Sequence, residues 1–244
     1  MTKLLKADHL RRVEIPGVPV PVRRPVDIDK TQSAFANLRS LRIYCFDEGS
    51  VINGHAEEDE VLIVVLAGSV DLTISESEIQ DSSRPFLLSA ASDSHSDTCA
   101  AYLPPHAAYR LTPRGNAEVG YARATPPSGR SPTVFKSQPS REQSGITVLL
   151  QENGYPQRLR MRLAQITASQ QEIACTPIEH QEESCEALIH FRTIPAERGV
   201  TLRDADGRTT ALESWDTVAV APGDRPTVRV ALGSSALILV VLAE

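Results

Sequence analysis

Gly49-Ser-Val-Ile-Asn-Gly-His55-Ala-Glu57-Glu-Asp-Glu60-Val-Leu-Ile-Val-Val-Leu-Ala-Gly68 is the stretch that decides the fold. It begins polar, with one histidine and a cluster of acidic residues. From Glu60 to Leu66 it becomes an apolar run of strand length, and a glycine closes it. Strand signals lie on both sides: Leu41 to Phe46 before it, then Ser69 to Ile74, Thr98 to Leu103, Ala108 to Thr112 and Glu118 to Ala122 after it. Gly, Pro, Asn or Asp separates most of these segments, and no long segment has helical periodicity. Many short strands without helices predict an all-β chain of sandwich, barrel or jelly-roll type.

Further along, residues 125–145 hold Pro126, Pro127, Pro132 and Pro139 among Ser, Arg and Gln, which is the composition of a linker. Beyond it the strand pattern resumes at Thr147 to Leu150, Arg160 to Thr167, Ala187 to Thr193, Thr217 to Ala221, Thr227 to Ala231 and Ala236 to Leu242. The two halves are weak copies of each other. Each has a polar stretch with a histidine and several glutamates, then an apolar strand, and later a strand ending in a proline turn. A repeat of this size implies two similar domains, residues 36–124 and 146–244. Before them, residues 1–35 carry Pro16, Pro19, Pro21 and Pro25, so an extended arm is expected rather than a helix. Such an arm and exposed sheet edges make a homodimer the expected assembly.

A net charge of -6 argues against nucleic acid as the main partner, because a phosphate-binding face needs a basic excess. No apolar run reaches the length of a membrane span. Met1 to Arg12 is polar and has no apolar signal core, so a cytoplasmic protein is expected. The four cysteines, Cys45, Cys99, Cys175 and Cys185, form no CxxC pair and are expected as free, mostly structural thiols. There is no Gly-x-Ser-x-Gly elbow, phosphate loop or dinucleotide fingerprint. A small-molecule ligand or substrate is the partner left.

The opening stretch resembles the first cupin motif, Gly, five residues, His-x-His, a few residues, Glu, six residues, Gly. His55 stands at the first His and Glu57 at the second, and Glu60 is near the Glu with the spacing off by one. Tyr102 to Tyr109 resembles the second motif, Pro-x-Gly-x-x-His, with His106 at the Gly and Tyr109 at the His. The order of features along residues 38–244 is similar to the 5-deoxy-glucuronate isomerases of inositol breakdown and their uronate-isomerase relatives. Tyr102-Leu-Pro-Pro, Ala117-Glu-Val, Gly145-Ile-Thr-Val to Arg160 and Thr176-Pro-Ile-Glu-His180 to Arg192 carry that likeness. The resemblance implies a tandem cupin of two jelly-roll barrels. It also implies aldose–ketose isomerisation of a sugar acid through an enediol, and a divalent metal such as zinc, iron, nickel or manganese in the second barrel. The family's four ligands fall on Ile178, His180, Glu186 and the neighbourhood of Arg225. Isoleucine and arginine have no lone pair to give, so the ligand set is incomplete and diverged, metal-independent chemistry is a matching expectation.

Read from the residues themselves, Glu186, Leu188, His190 and Arg192 alternate along one strand and share a face. Lining the barrel, they would join Arg225 in gripping a carboxylate and moving a proton, with His190 or Glu186 as base. Facing outward, they would be a solvated surface or a buried ion pair without catalysis. The candidate catalytic set is therefore His180, Glu186, His190 and Arg225, with His180 and Glu186 as metal ligands. The first barrel offers a second candidate metal set, His55, Glu57 and His106, which would suit an iron dioxygenase. A bicupin that only binds a small ligand, as sensor or scaffold, is the non-enzymatic alternative.

Overall fold

The computed structural model describes residues 2–75, 85–90, 98–125, 133–136, 140–143, 146–151, 159–169, 171–178, 184–194 and 199–244. In chain order the elements are β1 (Lys3–Leu5), β2 (Arg12–Val13), β3 (Val22–Asp29), the one-turn helix α1 (Lys30–Ser33), β4 (Leu38–Phe46), β5 (Ile52–His55), β6 (Glu60–Ala67), β7 (Ser69–Ser75) and β8 (Phe86–Ser89). Then follow β9 (Thr98–Leu103), β10 (Ala108–Pro113), β11 (Ala117–Ala124), β12 (Thr133–Lys136), β13 (Ser140–Gln143), β14 (Ile146–Gln151), β15 (Leu159–Thr167) and β16 (Ile173–Cys175). The chain ends with β17 (Glu186–Ile194), β18 (Val200–Arg203), β19 (Thr209–Leu212), β20 (Thr217–Val220), β21 (Thr227–Val230) and β22 (Ser235–Ala243). All pairings are antiparallel.

Each half builds a barrel from a seven-stranded and a four-stranded sheet. The first has the orders β12-β9-β6-β11-β4-β3-β2 and β5-β10-β7-β8, and the second β1-β20-β17-β22-β15-β14-β13 and β16-β21-β18-β19. The orders superimpose strand for strand, so the repeat read in the sequence is a repeat of topology. The two seven-stranded sheets pack back to back. One apolar cluster fills each barrel, and a third, with Leu41, Ile43, Leu62, Val64, Leu163, Leu239 and Val241, lies between them.

This layering explains the continuous apolar runs. In β6, Val61, Ile63 and Val65 fill the first barrel while Leu62, Val64 and Leu66 meet the second. In β22, Ile238, Val240 and Leu242 fill the second barrel while Leu239, Val241 and Ala243 meet the first. A strand covered on both faces has no polar parity to show. On the outer sheet, β7 buries Val70, Leu72 and Ile74 and leaves the residues between them partly open, the alternation of a strand wet on one side.

The two proline-rich segments are more structured than their composition predicts. The arm of residues 1–35 contributes β3, a full strand of the first barrel, and Pro25 is absorbed by a register shift between Arg23 and Val26. Its first strand, β1, crosses to the second barrel and pairs with β20. Residues 125–145 likewise supply β12 to the first sheet and β13 to the second. No helix is long and apolar enough to cross a membrane among the described residues.

The β6–β7 turn hinges on Gly68, which closes the stretch that opened the reading. It has φ +72°, and a Cβ there would lie 2.3 Å from the Asn116 carbonyl oxygen. That neighbour is backbone and has little room to move. Gly68→Ala is expected to lower stability by about 2 kcal/mol, seen as a drop in melting temperature. An unchanged melt would show that the turn relaxes.

Candidate functional site

The second-barrel residues share one face, as alternation predicts, but that face turns to the neighbouring barrel and not to a cavity. Cys185, Ala187, Ile189 and Phe191 fill the barrel, and Leu188 lies in the cluster between barrels. Glu186 is buried and accepts three backbone hydrogen bonds from the first barrel: Ala36 N–H at 2.6 Å, Asn37 N–H at 2.9 Å and Leu38 N–H at 2.8 Å. Glu60 does the reverse. It is fully buried and accepts the Leu159 N–H at 2.6 Å. Glu60 and Glu186 open the equivalent strands β6 and β17, and Leu38 and Leu159 open the equivalent strands β4 and β15. The two carboxylates are thus reciprocal clamps between the barrels.

His190 is 1% exposed, with Nδ1 3.1 Å from Thr217 Oγ1 and its ring 5.8 Å from that of Trp215. Its Nε2 has no hydrogen-bond partner. Burial, helped by the Arg192 charge, lowers its pKa to about 3. Arg192 pairs with Glu118 of the first barrel at 2.9 Å and lies 5.2 Å over the Trp215 ring. Arg225 sits half-buried in the turn between β20 and β21. Ile178 is part of the apolar filling of the second barrel. His180 lies outside the described residues.

In the first barrel, His55 ends β5 at the rim of a cavity, and its Nδ1 accepts the Glu57 N–H at 2.9 Å. The carboxylate of Glu57 is exposed, 3.7 Å from that nitrogen. The His106 ring, also exposed, faces Glu58 at 3.7 Å, and the His106 backbone N–H donates to the Glu57 carbonyl at 2.7 Å. The off-by-one spacing at Glu60 has a structural meaning. One residue reverses the face of a strand, so Glu60 enters the clamp and Val61 lines the cavity. Tyr109, at the last His of the motif, also lines it.

That cavity, of about 250 Å³, lies between the inner face of the seven-stranded sheet, β5 and β10, under the segment Val13–Pro16. Arg24, Arg42 and Arg123 line it together with Tyr44, Phe46, Tyr109 and Tyr121. Asp27 holds Arg24 at 2.7 Å and Arg42 at 3.0 Å, and also binds Arg11, so three cations share one anion. Arg24 lies 5.5 Å over the Tyr44 ring. Arg123 donates to the carbonyls of His55 and Ala56 and faces Asp59 at 3.3 Å. Burial pushes the Tyr109 phenol up to about 12 and raises Tyr121 well above its ordinary value, so both remain protonated donors at neutral pH. None of the four cysteines forms a disulfide, and burial pushes Cys45, Cys99 and Cys175 up to about 11, away from thiolate chemistry.

No protein-family model matches the chain, and no curated protein matches it in sequence. Solved structures do match in shape. An IolB-like protein from Salmonella typhimurium LT2 superposes with a TM-score of 0.69 at 15% identity, over 99% of this chain and 92% of that one. A quercetin 2,3-dioxygenase from Acinetobacter baumannii gives 0.68 at 10% identity, over 99% and 85%. An oxalate decarboxylase from Bacillus subtilis, described for its Mn(II) centres, gives 0.62 at 11% identity, over 98% and 76%. The fold is a bicupin.

At these identities the likeness carries the fold alone, and a metal has to be judged on the side chains of this bicupin. Among the described residues no three His, Cys, Asp or Glu side chains gather to hold an ion. The wall position next to Glu60 is Val61, Glu57 points to solvent, and Glu186 is committed to three amides. The described residues do not fit a metal in either barrel. What they do form is the arginine–tyrosine cavity, and sequence reasoning passed over most of it. Its signal was the parity of β4, where Leu41 and Ile43 alternate with Ser40, Arg42, Tyr44 and Phe46.

Proposed function

We propose that this bicupin binds a compact organic carboxylate in its first barrel, without a metal. The carrying observation is the three guanidinium groups at the wall of a cavity whose metal-ligand position is occupied by Val61. Guanidinium forks match a carboxylate with two parallel hydrogen bonds. Arg11, Arg24 and Arg42 share Asp27, Arg39 and Arg123 share Asp59, and Glu14 also lines the wall, so the cations still outnumber the carboxylates and an anionic guest improves the balance. The volume falls below the roughly 300–1,000 Å³ of drug-sized sites, which favours a small guest.

A second reading is isomerisation of a sugar acid, and the carboxylate of Glu14 beside His55, Tyr109 and Tyr121 in the lining of one cavity favours it. Glu14 at the cavity wall would take the proton from the hydroxyl-bearing carbon and return it to the carbonyl carbon while the hydroxyl proton passes to the carbonyl oxygen, and His55, whose Nδ1 accepts the Glu57 N–H, would offer Nε2–H as a donor. Tyr109 would donate a hydrogen bond to the carbonyl oxygen as charge develops there.

Melting and calorimetry with small carboxylates, each beside its neutral amide, separate these outcomes. A ligand of the folded state raises the melting temperature. The carboxylates are expected to do so and the amides not, and Arg42→Gln is expected to weaken binding about tenfold or more, the worth of a charge-assisted hydrogen bond. Equal stabilisation by amides, or binding that disappears with a chelator, would overturn the reading. Turnover of a uronate by chelator-treated protein would favour the isomerase over the simple binder.

A further inference from the structure

Resting on the first barrel as a carboxylate cavity, we infer that its guest is a hydroxylated aromatic carboxylate and not a sugar acid. Four rings form one continuous wall. Tyr44 and Phe46 stack with centroids 5.5 Å apart, Tyr44 meets Tyr121 edge-on at 5.4 Å, and Tyr109 lies 6.1 Å from Tyr121. Ile52 and Val61 extend the apolar surface. A sugar acid carries a hydroxyl on nearly every carbon, and each needs a partner once buried. A planar ring needs faces and edges, which this wall supplies. The backbone is cut to fit: a Cβ on Gly54 would lie 2.2 Å from Cζ of Tyr109, so only glycine lets that ring cross the strand and complete the wall.

The second observation is the Tyr121 hydroxyl. Tyr121 is 7% exposed and lines the cavity, yet its hydroxyl is buried without a hydrogen bond of good geometry, beside the Tyr109 phenol. Such a group inside a fold is uncommon. A hydroxyl on the guest's ring would satisfy it once the Tyr121 oxygen, sealed beside the Tyr109 phenol, tips toward the cavity. Arg42 is the cross-strand partner of Tyr121, and Arg123 follows two residues along the same strand. The forks for the carboxylate and the waiting phenol therefore belong to one patch of wall.

Calorimetry on the full chain tests this with benzoate, the three monohydroxybenzoates and D-glucuronate, in the wild type and in Tyr121→Phe. At least one hydroxybenzoate is expected to bind about tenfold tighter than benzoate, the effect of one good hydrogen bond, and tighter than glucuronate. Tyr121→Phe is expected to erase that advantage, bringing the hydroxybenzoates to the affinity the same variant has for benzoate, and to melt no lower than the wild type. Glucuronate binding tighter than every benzoate would overturn the inference while the carboxylate cavity stands. So would a hydroxyl preference that survives Tyr121→Phe. If no carboxylate of either kind binds, the cavity reading itself falls.

Discussion

Glu186→Ala is expected to lower the unfolding free energy by about 4 kcal/mol, a large part of the 5–15 kcal/mol that holds a typical domain. One carboxylate serves three donors, the N–H groups of Ala36, Asn37 and Leu38, at 2.6 to 2.9 Å. Two of those donors lie in a partly buried turn and one is buried. Removing the acceptor strands the buried Leu38 N–H, at a cost of about 1–3 kcal/mol, and takes a charge-assisted hydrogen bond from each of the other two. The contact also joins the barrels, so the loss includes docking of the two back-to-back sheets. Glu60→Ala removes the reciprocal bond to Leu159 and is expected to act in the same direction. Urea unfolding followed by circular dichroism reads both. A midpoint for Glu186→Ala within error of the wild type would mean that water replaces the carboxylate and that the clamp is no clamp.

The clamps also show how far the sequence could be read. Short strands, proline turns and the copied halves gave the two barrels, because period and punctuation are local properties. Alternation put Glu186, Leu188, His190 and Arg192 on one face, which is where the structure has them. It could not say which face, since β17 is covered on both sides and its other parity, Ala187, Ile189 and Phe191, is equally apolar. The displaced Glu60 was visible as a spacing error, and only the strand's orientation turned that error into a different role. The cavity was hardest to see. Arg42 on β4 lies far in the chain from Tyr109 and Tyr121 on the consecutive strands β10 and β11, and no motif of ligand spacing links them. The strands that carry them also carry core residues at every other position, so a tyrosine there reads as packing until its neighbours across the barrel are known.

His190 yields the second large effect, and its sign follows from burial. Its pKa is about 3 in the folded protein against 6.5 for the free side chain, with burial as the main cause and the Arg192 charge second. Below pH 6.5 the unfolded chain therefore takes up a proton that the folded chain refuses until about pH 3. Where the unfolded state binds more protons, stability falls as pH falls. Between pH 7.5 and 4.5 this one group is expected to remove about 3 kcal/mol, at about 1.4 kcal/mol per pH unit once below 6.5. Other groups titrate with the opposite sign: burial raises the carboxyls of Asp59 and Glu118, so protonating them favours the folded state. Comparing wild type with His190→Gln isolates the histidine, because glutamine keeps a polar partner for Thr217 and does not titrate. The difference in unfolding free energy between the two proteins should shift by that amount across the window and stay flat above pH 7.5. A difference that does not change with pH would mean that His190 charges freely in the folded protein, and with it the interface between the barrels would have to admit water. An imidazole sealed in this way cannot exchange protons with a substrate, so the same titration also decides whether the acid–base role expected of His190 is open to it.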